Sequence, residues 1–351
     1  MYAAVLLALG AVSFVLAFVA CVVVRRIALR LRLVDVPNQR SLHQVPVPRL
    51  GGVAIVVTVW SVLALGSGST MTPVLGHADT LAWLAGASAI AVLGFVDDIR
   101  PLPALVRLSV QLVIATSVLA VVLRTDELGV AAGVRLHVVR ALALAPAVIF
   151  VVGTTNIYNF MDGMDGLAAT QAMSAGLGLG VAASAVGQVD LAAIAFVVAA
   201  AALGFFVHNS PPATLFLGDA GSTFLGFTFS SLALVAAARP SPVPIGVIPV
   251  ALAPFLLDGT FTIIRRLRRG ERVWQAHKTH LYQRAVATGL SHRDVLVVYA
   301  AWCAVSAAAA TFVGQSGAIA TLATMLAALV PLGMTWRWVA RREERSRGRS
   351  H

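Results

Sequence analysis

Asn156-Ile157-Tyr158-Asn159-Phe160-Met161-Asp162-Gly163-Met164-Asp165-Gly166-Leu167-Ala168 lies between two long apolar runs, about 141–158 and 166–186, and sets four polar side chains at a spacing of three. On one continuous helix that spacing slips back by roughly 60° per step, which would spread Asn156, Asn159, Asp162 and Asp165 over half the circumference. Glycines after each aspartate predict instead that the helix ends near Asn159 and that the backbone then turns, bringing both carboxylates to one focus. Two close carboxylates either raise one pKa or bind a cation, and at a membrane edge the cation costs less. The stretch therefore reads as two helices meeting at a divalent-metal site with a phosphate ligand. The alternative is a polar helix end with solvated aspartates.

The rest of the chain has the composition of a membrane protein. Of 351 residues, 59% are hydrophobic and 12% charged, with a mean hydropathy of +0.87; soluble domains carry about 25% charged residues. Eleven apolar spans can be drawn, at about 3–24, 51–66, 80–96, 104–123, 141–158, 166–186, 189–207, 222–238, 245–264, 295–313 and 317–336, and ten remain compatible because several fall short of roughly 20 residues. Without water in the lipid core each span must be helical, and no alternation of the membrane-barrel kind is present. The fold expected is all-α and polytopic, one membrane domain over 1–351. The first span lacks a basic start and reads as an uncleaved helix. Cys21 and Cys303 both lie in apolar spans and support neither a disulfide framework nor a thiolate metal site.

Basic residues set the orientation. With the N-terminus outside and the C-terminus cytosolic, the cytosolic segments hold six Lys plus Arg in 25–50, two in 97–107, eight in 265–294 and six in 337–351, against four on the other side. The net charge of +11 sits beside membrane spans, so anionic lipid, not nucleic acid, is the expected partner. Cytosolic loops are expected at about 25–50, 97–103, 159–165, 208–221 and 265–294, with a tail at 337–351.

Every unusual polar cluster falls on that cytosolic side. In Asp35-Val-Pro-Asn-Gln-Arg-Ser-Leu-His43-Gln-Val-Pro-Val-Pro-Arg49-Leu-Gly-Gly52, three prolines and a closing Gly-Gly predict a stiff, extended loop, with Arg40, His43 and Arg49 as anion contacts. Asp97 and Asp98 end the third span, where the macrodipole disfavours acids. A positive partner is expected, either Arg100 or a cation, with Arg107 and Gln111 sharing a face of the next helix. Asp219 stands among small residues in Gly218-Asp-Ala-Gly-Ser222, with Ser222 as the expected N-cap of a helix whose free N–H groups attract phosphate. A carboxylate at a phosphate site implies a bridging metal. Asp258 lies within a span and is unassigned. If 277–284 is helical, His277, His280 and Arg284 share a face that could bind phosphates. Acids and bases around one site suit metal-assisted phosphoryl chemistry.

These motifs, taken in order, resemble the polyprenyl-phosphate N-acetylhexosamine-1-phosphate transferases of glycosyltransferase family 4, the superfamily of the phospho-MurNAc-pentapeptide translocase. The matching residues are Pro37-Asn-x-Arg-Ser-x-His43 with Pro48-Arg-x-Gly-Gly52, Asp97-Asp98, Asn156-x-x-Asn-Phe-Met-Asp-Gly-x-Asp-Gly166, Phe216-Leu-Gly-Asp-Ala-Gly-Ser222 and the histidine loop. The resemblance implies transfer of a sugar 1-phosphate from a UDP-sugar to undecaprenyl phosphate, with release of UMP, at the bacterial inner membrane and on its cytosolic face. It implies Mg²⁺, with Mn²⁺ as a substitute, and leaves room for a homodimer. It makes Asp219 a metal ligand with Asp162 and Asp165, places Asp97 and Asp98 beside the metal and the attacking phosphate, and gives Asn156 to Asp165 to the nucleotide site. The histidine loop, Ala276-His-x-x-His-x-x-Gln-Arg284, is most similar to the branch serving O-antigen and related polysaccharides. Its donors include UDP-N-acetylfucosamine, UDP-N-acetylquinovosamine and UDP-N-acetylglucosamine. A secondary transporter is the alternative from another class; its polar groups should sit at the midplane within repeated halves.

Overall fold

Long runs of Ala, Leu, Val and Gly leave the backbone no partner in lipid except itself, so nearly all regular structure is helical. The structure is a computed structural model that describes residues 2–36, 45–67, 76–123, 127–137, 139–272 and 277–347; Arg40 and His43 lie outside them. In chain order the elements are α1 (Tyr2–Arg30), β1 (Val34–Asp35), β2 (Val47–Pro48), α2 (Gly51–Ser67), α3 (Ala78–Ile99), α4 (Ala104–Val122), β3 (Glu127–Ala131), β4 (Val134–His137), α5 (Arg140–Met161), α6 (Leu167–Ala185), α7 (Val189–Asn209), α8 (Gly218–Ala237), α9 (Val247–Ala251), α10 (Ala253–Arg268), α11 (Leu281–Ala287), α12 (His292–Val313), α13 (Ala318–Ala327) and α14 (Leu329–Arg347). The strands form two antiparallel pairs, β1 with β2 and β3 with β4. The protein is an all-α polytopic membrane protein.

Each of the eleven apolar stretches lies on helix, and eight helical segments of the described residues are long and apolar enough to cross a membrane. Two stretches are broken: 245–264 divides at Leu252 into α9 and α10, and 317–336 divides at Ala328 into α13 and α14. Hydropathy averages over such breaks because it is blind to backbone angles. The loops are also shorter than drawn. Helix α3 runs through Asp97 and Asp98 to Ile99, and α8 begins at Gly218, so Asp97, Asp98 and Asp219 stand on helix turns.

Helix α8 is the hub. Its apolar window is wholly buried, against 17% for α1 and 6% for the segment containing α14, which face outward. Most of its Ser and Thr side chains return their hydroxyls to the preceding turn, as Thr223 does to the Asp219 carbonyl at 2.6 Å and Ser230 to that of Gly226 at 2.7 Å, while the buried Thr228 hydroxyl has no partner. Small residues allow α3 to pack closely against it: a Cβ on Gly94 would lie 2.4 Å from the Asp219 carbonyl oxygen. The two helices are antiparallel, tied at one end by Asp98 and at the other by Arg239. The Arg239 guanidinium joins Asp79 at 2.9 and 3.1 Å, Thr80 at 3.0 Å and Asp190 at 2.7 Å, clasping the first turns of α3 and α7 to the end of α8.

Candidate functional site

At the end of the bundle where α3 and α5 finish and α8 begins, four carboxylates gather. Adjacent acids at the negative end of a helix need compensation. Asp97 obtains it from Arg107 on α4, whose Nη1 donates to Asp97 Oδ2, and from the Leu102 N–H at 2.6 Å. The same nitrogen lies 3.4 Å from Asp219 Oδ2. Asp98 takes another route: its two oxygens accept the N–H groups of Asp219 and Ala220, each at 3.0 Å. Asp98 thus caps α8 from a different helix. This corrects two expectations. Ser222 is not the N-cap but lies a turn inside, donating to the Gly218 carbonyl at 3.1 Å, and the N–H groups expected to attract phosphate already hold a carboxylate.

Asp219, like Asp162, is left partly within reach. Its side chain is 34% exposed, whereas that of Asp97 is 6% exposed and Asp98 is buried. Asn159, from the last turn of α5, donates to Asp219 Oδ1 at 2.8 Å and to Ser222 Oγ at 2.9 Å. One turn earlier Asn156 donates to Gln111 Oε1 at 2.6 Å, so the Arg107 and Gln111 face of α4 meets the asparagine face of α5. Helix α5 ends at Met161, and Gly166, at φ +74°, starts α6 in the left-handed region that favours glycine.

Between them Asp162 and Asp165 part company. Burial and the carboxylates of Asp219 and Asp98 push the pKa of Asp162 well above the ordinary carboxylate range, which places it with the cluster. Asp165 instead accepts the Ala213 N–H at 3.0 Å and lies 3.4 Å from His292 Nδ1. The expectation that both carboxylates share one focus is therefore corrected: Asp165 ties the 209–215 segment to α12, helped by Asn209, which accepts the Gly166 N–H at 2.9 Å.

Around this core, Pro48 to Gly52 joins Phe216 and Leu217 through three backbone bonds, from Phe216 N to Pro48 O at 2.8 Å, Gly51 N to Phe216 O at 2.8 Å and Gly52 N to Leu217 O at 2.7 Å. Two motifs far apart in sequence become one strip. Arg49 is carried on it within electrostatic range of Asp98, and its buried Nε has no hydrogen-bond partner. On the other flank, His277 and His280 stand with ring centroids 4.9 Å apart. They are not helical, since α11 begins at Leu281 with His280 as its N-cap, and Arg284 turns away to pair with Glu343 at 2.7 and 2.8 Å and to cover Trp336 at 4.1 Å. The shared face expected for His277, His280 and Arg284 is thereby corrected. Burial, then the neighbouring His280 and the Arg266 guanidinium, lower His277 to about 4, so its ring is neutral near pH 7.

Among the described residues no three acids, histidines or cysteines form a ready-made metal cage. Mg²⁺ does not require one, because it keeps several waters and takes one or two carboxylates plus substrate phosphates. Asp219 and Asp162, within electrostatic range of each other and both partly exposed, fit that demand; Asp165, which accepts the Ala213 N–H and lies beside His292, does not. Arg107 was legible only as a neighbour on α4, Asp258 only as an acid within a span, and Tyr299 and Glu343 gave no sequence signal because their partners are distant in the chain.

The chain is similar to known transferases. The glycosyl transferase family 4 model matches residues 80–237, the segment that carries Asp97, Asp98, Arg107, Asn159, Asp162 and Asp219. The chain is 35% identical, over 82% of its length and 79% of the relative's, to a Bacillus subtilis (strain 168) protein named as a probable undecaprenyl-phosphate N-acetylglucosaminyl 1-phosphate transferase. It is 29% identical to the decaprenyl-phosphate N-acetylglucosaminephosphotransferase of Mycobacterium tuberculosis (strain CDC 1551 / Oshkosh), over 93% of this chain and 86% of that one. To the undecaprenyl-phosphate alpha-N-acetylglucosaminyl 1-phosphate transferase of Escherichia coli (strain K12) it is 25% identical, over 78% and 74%. The transporter alternative finds no support in these relatives.

Proposed function

The chain belongs to glycosyl transferase family 4, and on that footing we propose that it transfers an N-acetylhexosamine 1-phosphate from a UDP-sugar to a polyprenyl phosphate, with Mg²⁺, at the cytosolic face of the bacterial inner membrane. N-acetylglucosamine is the first donor to test because the relatives' names specify it; N-acetylfucosamine and N-acetylquinovosamine follow from the histidine loop. The observation that carries this reading is Asp219: one solvent-reachable carboxylate set among Asp97, Arg107, Asn159 and Asp162 at the edge of the apolar bundle.

In the reaction an oxygen of the lipid phosphate attacks the sugar-bearing phosphorus of the UDP-sugar. The bond to the bridging oxygen breaks, and UMP leaves with that oxygen. Asp219 and Asp162 would hold Mg²⁺, which would supply positive charge to offset that of the substrate phosphates. Arg107 and Arg49 supply fixed positive charge on either side of the carboxylates, where transferring phosphates gather negative charge. Asp97 holds Arg107 in place. It need not remove a proton, because a phosphate monoester has a second pKa near 6 and is mostly dianionic near pH 7. Asn159 orients Asp219, and Asp98 fixes the turn that carries it.

The test is UMP release by purified protein given undecaprenyl phosphate, each UDP-N-acetylhexosamine and Mg²⁺, with Asp219→Asn in parallel. Release that needs both lipid and cation, and that falls by roughly a hundredfold or more in the variant, supports the proposal. Release unchanged in Asp219→Asn would remove Asp219 from the site.

A further inference from the structure

Asp258 lies on α10, is 1% exposed, and takes no part in the carboxylate cluster. Its carboxylate is nevertheless well supplied with donors. Oδ1 accepts the Leu281 N–H at 2.8 Å and the Thr262 hydroxyl at 3.2 Å; Oδ2 accepts the Tyr299 hydroxyl at 2.7 Å and the Tyr282 N–H at 3.4 Å. One bond on each oxygen is short and the other long, which leaves Oδ1 room for a further donor. The donors come from α10 itself, the first turn of α11, and α12. Beside them His280 directs Nδ1 at Asp258 Oδ1 from 3.6 Å, and that buried nitrogen has no hydrogen-bond partner. The His280 ring is 2% exposed and stacked between His277, at 4.9 Å, and Tyr282, at 5.9 Å and 16°. Tyr282 in turn donates its hydroxyl to the Phe160 carbonyl at 3.4 Å, two residues before Asp162.

A buried carboxylate this well supplied with donors holds whatever carries them. We propose that Asp258 is a positioning residue: it orients the His280 ring through Nδ1 and clamps the 277–284 segment against the turn that bears Asp162. A carboxylate beside one ring nitrogen fixes which nitrogen carries the proton, leaving Nε2 as the ring's acceptor. His280 then stands in one orientation and one tautomer, with His277 stacked on it, at the edge of the carboxylate cluster. The clamp stands on the contacts alone. Its consequence for turnover rests on the transferase reading.

The experiment compares wild type, Asp258→Asn, Tyr299→Phe and His280→Gln, with the double variant Asp258→Asn/His280→Gln, by two readouts. Amide hydrogen exchange of peptides covering 277–284 reports the clamp without any reaction. Faster exchange there in Asp258→Asn, and to a smaller degree in Tyr299→Phe, is expected, with peptides of α3 and α8 unchanged. UMP release is expected to lose kcat by about tenfold or more in Asp258→Asn with little change in KM for the UDP-sugar, and to fall no further when the substitution is added to His280→Gln. Unchanged exchange overturns the clamp. Faster exchange with undiminished kcat, or losses that multiply in the double variant, overturns the positioning role. If Asp258→Asn fails to fold, Tyr299→Phe carries the same two readouts. A wild type that releases no UMP while the exchange pattern appears as expected refutes the transferase reading and leaves the clamp standing.

Discussion

At the scale of single residues, the site divides carboxylates by what they accept. Asp98 gives both oxygens to backbone N–H groups, Asp97 shares an arginine, and Asp162 and Asp219 are the two that stay partly exposed. Asp165 belongs to none of these, and its separation from Asp162 can be measured. Asp165→Ala strands the half-buried Ala213 N–H and removes the partner of His292, so it should lower the stability of the detergent-purified protein by about 1 kcal/mol. Turnover per folded molecule should survive better than in Asp162→Ala. The opposite ranking, with Asp165→Ala the more damaging to kcat at unchanged unfolding temperature, would put Asp165 back among the groups that touch substrate. From sequence the two aspartates look equivalent, each followed by glycine. What distinguishes them is Ala213 and His292, some fifty and a hundred and thirty residues further on, and no local pattern encodes that.

At the scale of elements, local chemistry was legible wherever the partner lies within a few turns, as with the helix end after Asn159 and the Arg107 and Gln111 face. It failed where a helix end is satisfied from elsewhere. Ser222 looks like a cap, yet α8 is capped by Asp98 of α3; 277–284 looks helical, yet its first half is held from α10, where Arg265 donates to the Thr279 carbonyl at 2.6 Å. The far end of the same α3 and α8 pair depends on Arg239, whose side chain is 12% exposed and serves Asp79 and Asp190 together. Removing it leaves two mostly buried carboxylates without a counter-charge, a change expected to cost about 3 kcal/mol. Arg135, paired with Glu127 at 2.9 Å on the exposed β3–β4 hairpin, should cost under about 1 kcal/mol when replaced. Thermal unfolding of Arg239→Ala and Arg135→Ala in one detergent makes the comparison, and equal losses would show that the clasp does not hold the helices.

For the molecule as a whole, composition sufficed for the class, since 59% hydrophobic residues with 12% charged ones admit little besides helices in lipid. Orientation follows from a different quantity, the charge asymmetry between ends, and the fold sharpens it. Among the described residues the carboxylate end, with Asp219 and the His277 to Arg293 segment, is the end that carries most of the Lys and Arg residues, while the hairpin beside Arg239 is at the other. By the positive-inside rule we propose that the site faces the cytosol. The chain is well suited to a direct test because both native cysteines, Cys21 and Cys303, are buried and should label little. His137, 81% exposed on the hairpin, and Arg293, exposed at the start of α12, mark the two ends. A membrane-impermeant maleimide added to intact spheroplasts should modify His137→Cys at once and Arg293→Cys only after the membrane is opened. The reverse order would place the carboxylate cluster outside. A UDP-sugar made in the cytosol could then not reach Asp219, and the proposed reaction would have to be abandoned whatever the resemblance of its parts.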